Sequence, residues 1–179
     1  NSVIEAFQAG DFKQSPKPSI TVRSTEIELG IENFMLSLGT LLGVIDSDPK
    51  FSLMPPFIRY LSEVAFIQIG DASITGVPGE LYPEIAVGGI ENPIGADYVM
   101  APQEVPHLRS QFTNKLNLMV NLANDAIGYI IPKSEWDEDA PWIYRENEET
   151  YGEVVSLGPN TAPIIYENLV KLIEESKNK

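Results

Sequence analysis

The chain has 179 residues, 26 acidic against 12 basic side chains, a single histidine and no cysteine, for a formal net charge of −14 and a pI near 4.3. Without cysteine there is no disulfide framework, thiolate zinc site or thiol nucleophile, and His107 alone cannot build a zinc site from several imidazoles. So acidic a chain lacks the clustered Lys and Arg that hold a nucleic-acid backbone or an anionic membrane surface, while 43% hydrophobic and 21% charged residues suit one globular domain.

The sequence opens Asn1-Ser2-Val3, without an initiator Met or a signal-peptide pattern, and reads as a processed or excised piece. Residues 1–19 carry Gly10, Pro16 and Pro18 and form a lead-in from a missing upstream segment, with a short helix over Ser2 to Gln8. From Ile20 to Leu29, Ile20, Val22, Ile27 and Leu29 interleave with polar residues at the period of a half-buried strand. Ile31 to Leu42 follows as a helix whose stripe is Phe34, Leu38, Leu41 and Leu42. Asp46, Asp48 and Pro49 make a turn, and Pro55-Pro56 a further loop.

Val64 to Ile69 reads as a buried strand, Gly70-Asp71 as a tight turn, and Ala72 to Val77 as the returning strand of a hairpin. It stops at Pro78-Gly79-Glu80, and a short helical turn begins within Leu81 to Ile85. Residues 88–106 hold three glycines and three prolines, a long loop of the kind that is functional or mobile. Leu116 to Leu122 is a third buried strand, leading through Asn124-Asp125-Ala126 to Gly128-Tyr129-Ile130. Ser134 to Glu149 is acidic and aromatic together. The closing helix has Asn160 or Thr161 as cap, Pro163 in its first turn, a stripe of Ile164, Ile165, Leu169, Leu172 and Ile173, and Lys171, Lys177 and Lys179 towards its C-terminus. No apolar run reaches the ~20 residues of a membrane span. Interspersed strands and helices put residues 20–179 in the α/β or α+β class, and they are read as an α/β, sandwich-like partial domain with several buried strands and a C-terminal helix.

Two local patterns could carry chemistry. Pro78-Gly79-Glu80 turns sharply after a buried strand and presents Glu80 at the strand's end, where α/β folds place ligands; an ordinary strand-to-helix turn has the same sequence. Tyr129, after the third strand, is a phenolic ligand or proton donor, or an aromatic plug at the sheet end. His107 lies in the Pro-rich loop and reads as a solvent-exposed histidine before a metal ligand. Asp137-Glu138-Asp139 offers three carboxylates, the donors that calcium takes, but lacks EF-hand spacing and reads first as a solvated loop. Trp136, Trp142 and Tyr144 either line a lipid entrance or anchor that loop on the core.

Taken together, Ile69-Gly70-Asp71, Gly76-Val77-Pro78-Gly79-Glu80, Asn124 with Gly128-Tyr129-Ile130, Glu135-Trp136, and Tyr151-Gly152-Glu153 with Gly158-Pro159 resemble the neutral/alkaline non-lysosomal ceramidase family over about Arg23 to Leu172. The resemblance implies a zinc-dependent amide hydrolase acting on N-acyl lipids such as N-acylsphingosine. It makes Glu80 and Tyr129 two zinc ligands and Tyr151 a phenolic hydrogen-bond donor near the scissile amide, with Ser156 following it. Trp136 stands where the family has tyrosine, and an acidic insertion, Asp137 to Glu146, precedes Tyr151. The family's two histidine ligands and serine nucleophile come from segments upstream of this region, so the chain reads as the C-terminal half of such a catalytic domain, inactive alone. Its partners are then the substrate and the missing N-terminal half. Apolar surface left by that half leaves homo-oligomerisation open, and family members are often exported or cell-surface proteins. Two alternatives stay open: a non-catalytic scaffold of the same fold that binds a ligand or partner, and a divergent hydrolase with another substrate.

Overall fold

A computed structural model of the chain describes residues 2–10, 17–45, 49–144 and 150–177. The turn expected at Asp46 and Asp48, the end of the acidic insertion at Glu146 and the terminal Lys179 lie outside the described residues.

Helices and a mixed sheet make this an α/β fold. The first helix, α1 (Ser2–Ala9), buries none of its residues. The main sheet runs β1 (Ile20–Gly30), β3 (Ile58–Ile69), β4 (Ala72–Gly76) and β6 (Leu116–Val120), with short β2 (Lys50–Phe51) paired to β3. β1, β3 and β4 pair antiparallel, and Ile69 opposite Ala72 closes the expected hairpin over Gly70-Asp71. β4 and β6 pair parallel. Beyond their C-terminal ends the same two chain segments pair again as a second, two-stranded parallel sheet, β5 (Glu80–Leu81) and β7 (Tyr129–Ile130).

One face of the main sheet is covered by α5 (Thr161–Lys177). Its buried residues Ile165, Leu169, Leu172 and Ile173 meet Ile27, Leu29, Val64 and Phe66 in the core, because residues three and four apart share a helix face and residues two apart share a strand face. Ile164 packs at the margin of this core, partly buried. Among the described residues no helix covers the opposite sheet face. Val22, Ile67, Ile74 and Leu118 form one cross-strand row, and Ile20, Ile69, Ala72 and Leu116 the next. Val22 is 65% and Leu118 49% exposed. Ile20 and Val22, expected to share a buried face with Ile27 and Leu29, lie on the other side. Even- and odd-numbered residues of one strand point to opposite faces.

The helix expected from Ile31 begins at Phe34 as α2 (Phe34–Leu41), because Asn33 caps it by accepting the Leu36 N–H at 3.0 Å. Its predicted stripe is also inverted: Phe34, Leu38, Leu41 and Leu42 are exposed and Thr40 is the residue buried. Asn33 sets this orientation, since its amide also donates to the Val154 carbonyl at 2.9 Å and ties the helix start to the chain near α4 (Tyr151–Val154). Among the described residues no helix is long and apolar enough to cross a membrane.

Candidate functional site

The site forms where β4 and β6 end. Val77 donates to the Val120 carbonyl at 2.9 Å and Ala123 to the Val77 carbonyl at 2.9 Å, carrying the parallel pairing past the sheet. Asp125 fixes the return, its carboxylate accepting from the Tyr60 hydroxyl at 2.9 Å, the Ser62 hydroxyl at 3.0 Å and the Ala126 N–H at 2.9 Å. Glu80 then donates its N–H to the Gly128 carbonyl at 2.9 Å, and Tyr82 its N–H to the Ile130 carbonyl at 3.1 Å. The close approach needs two glycines. A Cβ on Gly79 would collide with the Gly128 carbonyl, and one on Gly128, whose φ is +87°, would collide with the Val155 carbonyl.

The result is a direct cross-strand pair, Glu80 opposite Tyr129. The Glu80 charge is the first cause that raises the Tyr129 phenol above its ordinary pKa, ahead of burial. Tyr129 also joins a chain of edge-to-face rings: its centroid lies 6.1 Å from that of Tyr82 and 5.9 Å from that of Tyr151. Tyr151 opens α4 and is exposed. All three sequence-derived site residues, Glu80, Tyr129 and Tyr151, therefore stand side by side.

Behind them lies a cavity of about 450 Å³ lined by Tyr82, Glu84, Tyr129, Glu135, Tyr151 and Glu153, among others. Glu84 comes from α3 (Pro83–Val87), Glu135 from the 3₁₀ turn Lys133–Glu135 and Glu153 from α4. Burial, first, raises the carboxyls of Glu135 and Glu153, and burial with the Glu153 charge pushes Tyr82 up to about 12. Sequence reasoning missed Tyr82 and Glu84 altogether. The signal for Tyr82 was available, since extended backbone after Gly79 puts Glu80 and Tyr82 on one face.

Other candidates resolve as structure. His107 is half-buried rather than solvent-exposed: it caps the 3₁₀ turn Leu108–Gln111, with Nδ1 3.3 Å from the Ser110 N–H and 3.2 Å from the Ala86 carbonyl. One nitrogen satisfies only one of these, acceptor to Ser110 or donor to Ala86, according to the tautomer. The acidic run is not a solvated loop throughout. Glu138 and Asp139 are exposed, but Asp137 is 0% exposed, its carboxylate accepting from the N–H groups of Ile143 and Tyr144 at 3.0–3.1 Å. Trp136 is buried and donates to Glu138 at 3.2 Å, and Trp142 donates to the Glu138 carbonyl at 3.0 Å, so the indoles anchor the loop while Tyr144 reaches the cavity. The loop at 88–106 is tied down as well, through Ser134 to the Glu91 carbonyl at 2.7 Å and the Glu138 N–H to Asp97 at 2.7 Å. Asp137→Ala strands two backbone donors and is expected to cost about 1–3 kcal/mol; faster amide exchange at Ile143 and Tyr144, with a lower melting temperature, is the readout.

Among the described residues no group of three or more His, Asp or Glu side chains could hold a metal ion. No family model matches the chain, and no curated protein matches it.

Proposed function

We propose that the chain is part of a zinc-dependent amide hydrolase of the neutral ceramidase type, with Glu80 and Tyr129 as two oxygen ligands and Tyr151 as the phenol that steadies the developing oxyanion. One observation carries this reading: a carboxylate and a phenol from distant parts of the sequence meet as a direct cross-strand pair, with a second phenol beside them. The pair is compatible with zinc, a borderline cation that accepts carboxylate oxygens, and carboxylate and phenolate both offset its charge. Two oxygens are half of a tetrahedral set; the resemblance implies that the other half is two imidazole ligands, supplied with the serine nucleophile from outside this chain.

Zinc bound there supplies Lewis acidity toward the amide carbonyl. The chain's own residues do the rest by position. Glu80 stands opposite Tyr129 in the register, and Tyr82 packs edge-on against the Tyr129 ring. Tyr151 donates its phenolic hydrogen bond to the amide oxygen as negative charge grows on it. The substrate class, N-acyl lipids or related amides, follows from the resemblance.

The test compares the 179-residue chain with the complete encoded protein. Calorimetry on the isolated chain is expected to show zinc affinity weaker than micromolar and no amide hydrolysis. The complete protein is expected to purify with stoichiometric zinc and to release amine from an N-acyl substrate. Submicromolar zinc binding by the isolated chain, or a complete protein without zinc or amidase activity, overturns the reading.

A further inference from the structure

The cavity behind Tyr129 has an unusual lining: three carboxylates, four phenols and, among the described residues, no basic side chain. Two of the carboxylates keep an oxygen without a hydrogen-bond donor. Glu135 is 8% exposed and accepts the Glu91 N–H through Oε1 at 2.6 Å; Oε2 meets no donor among the described residues. Glu84 Oε2 is buried and likewise unbonded. Glu153, by contrast, is occupied, its Oε1 accepting the Asp137 N–H at 3.2 Å. The buried, unpaired Glu84 Oε2 costs free energy unless a donor arrives from the ligand side. The phenol rings of Tyr82, Tyr129 and Tyr151, packed edge to face, add negative ring faces that attract a cation.

We propose that this cavity is a binding site for the primary ammonium group of a small organic amine. Charge alone does not define the ligand. The free oxygens of Glu84 and Glu135 call for N–H donors, which a primary ammonium has and a quaternary one lacks. The volume takes an alkylammonium of a few carbons with room to spare, and the open side beside Tyr151 lets its chain run outward. The site is independent of zinc, but it complements the amide hydrolase reading. Hydrolysis of an amide by water, RCONHR′ + H₂O → RCOO⁻ + R′NH₃⁺, breaks the C–N bond and leaves a primary ammonium next to Tyr151.

The probe is n-butylammonium chloride, titrated into the isotopically labelled chain at constant ionic strength without metal and followed by amide NMR shifts. Saturable shifts at Tyr82, Glu84, Glu135 and Gly152 are expected, with millimolar affinity on the order of that reached by very small ligands. Tetramethylammonium is expected to bind at least tenfold more weakly, and butan-1-ol not to saturate. Glu135→Gln and Glu84→Gln are each expected to weaken n-butylammonium binding at least fivefold, and exposed Glu26→Gln to leave it unchanged. The comparison of probes on the unmutated chain stands even where a variant fails to fold. Linear shifts, equal binding of both cations, or unchanged affinity in the folded Gln variants overturn the proposal. Because no zinc is present, failure here leaves the metal assignment standing, and loss of the metal assignment leaves this site standing.

Discussion

In the complete protein, Glu80→Gln is expected to release zinc and abolish amide hydrolysis together. A neutral amide is a weaker donor to zinc than a carboxylate, so zinc affinity should fall well beyond the roughly 10–100-fold typical of losing an outer-shell partner. Tyr129→Phe removes the second oxygen and should behave alike. Tyr151→Phe should separate the two effects: zinc content stays normal while kcat drops by about 10²–10³, the usual loss for one oxyanion donor. Atomic absorption on the purified variants, set beside initial rates on an N-acyl substrate, reads both quantities. Normal zinc and activity in Glu80→Gln and Tyr129→Phe would refute the ligand assignment.

The second large effect is one of stability. Gly128→Ala forces a side chain into φ +87° and against the Val155 carbonyl, so the loop carrying Tyr129 must move. A loss of about 3 kcal/mol, or roughly 6–12 °C in Tm, is expected from strain and clash combined. Gly43→Ala is the control: it also has positive φ, but nothing lies within 4 Å of the added carbon, so it should lose only about 1–2 kcal/mol. Thermal melts of the two variants give strain alone and strain with collision. Equal shifts in both would mean that the Gly128 neighbourhood yields without cost.

Much of the fold was legible because its signals are local. The Gly70-Asp71 turn between apolar runs gave the hairpin, and the spacing of Ile165, Leu169, Leu172 and Ile173 gave the buried face of α5. What failed depended on which of two apolar faces found a partner. Ile20, Val22 and the α2 stripe are as apolar as their buried neighbours, and hydrophobicity does not say which side another element will cover. The proximity of Glu80, Tyr129 and Tyr151 was reachable through motif order, whereas Glu84 and the burial of Glu135 were not. Those carboxylates enter the cavity from a helix and a 3₁₀ turn that only tertiary packing brings together. Asp137 was read as solvated because charge usually is; three hydrogen bonds from the loop's own backbone allow the exception.

The parallel register of Glu80 against Tyr129 has a consequence for how the pair meets a cation. The two donors hang from adjacent backbones, so their separation is set mainly by the spacing between paired strands, about 4.8 Å, and much less by a search through rotamers. On the proposed metal assignment they would act as a chelate whose ordering entropy is already spent when the chain folds. The same arrangement is brittle. A slip of one residue along β7 would turn the Tyr129 phenol to the far side and leave Glu80 without its partner.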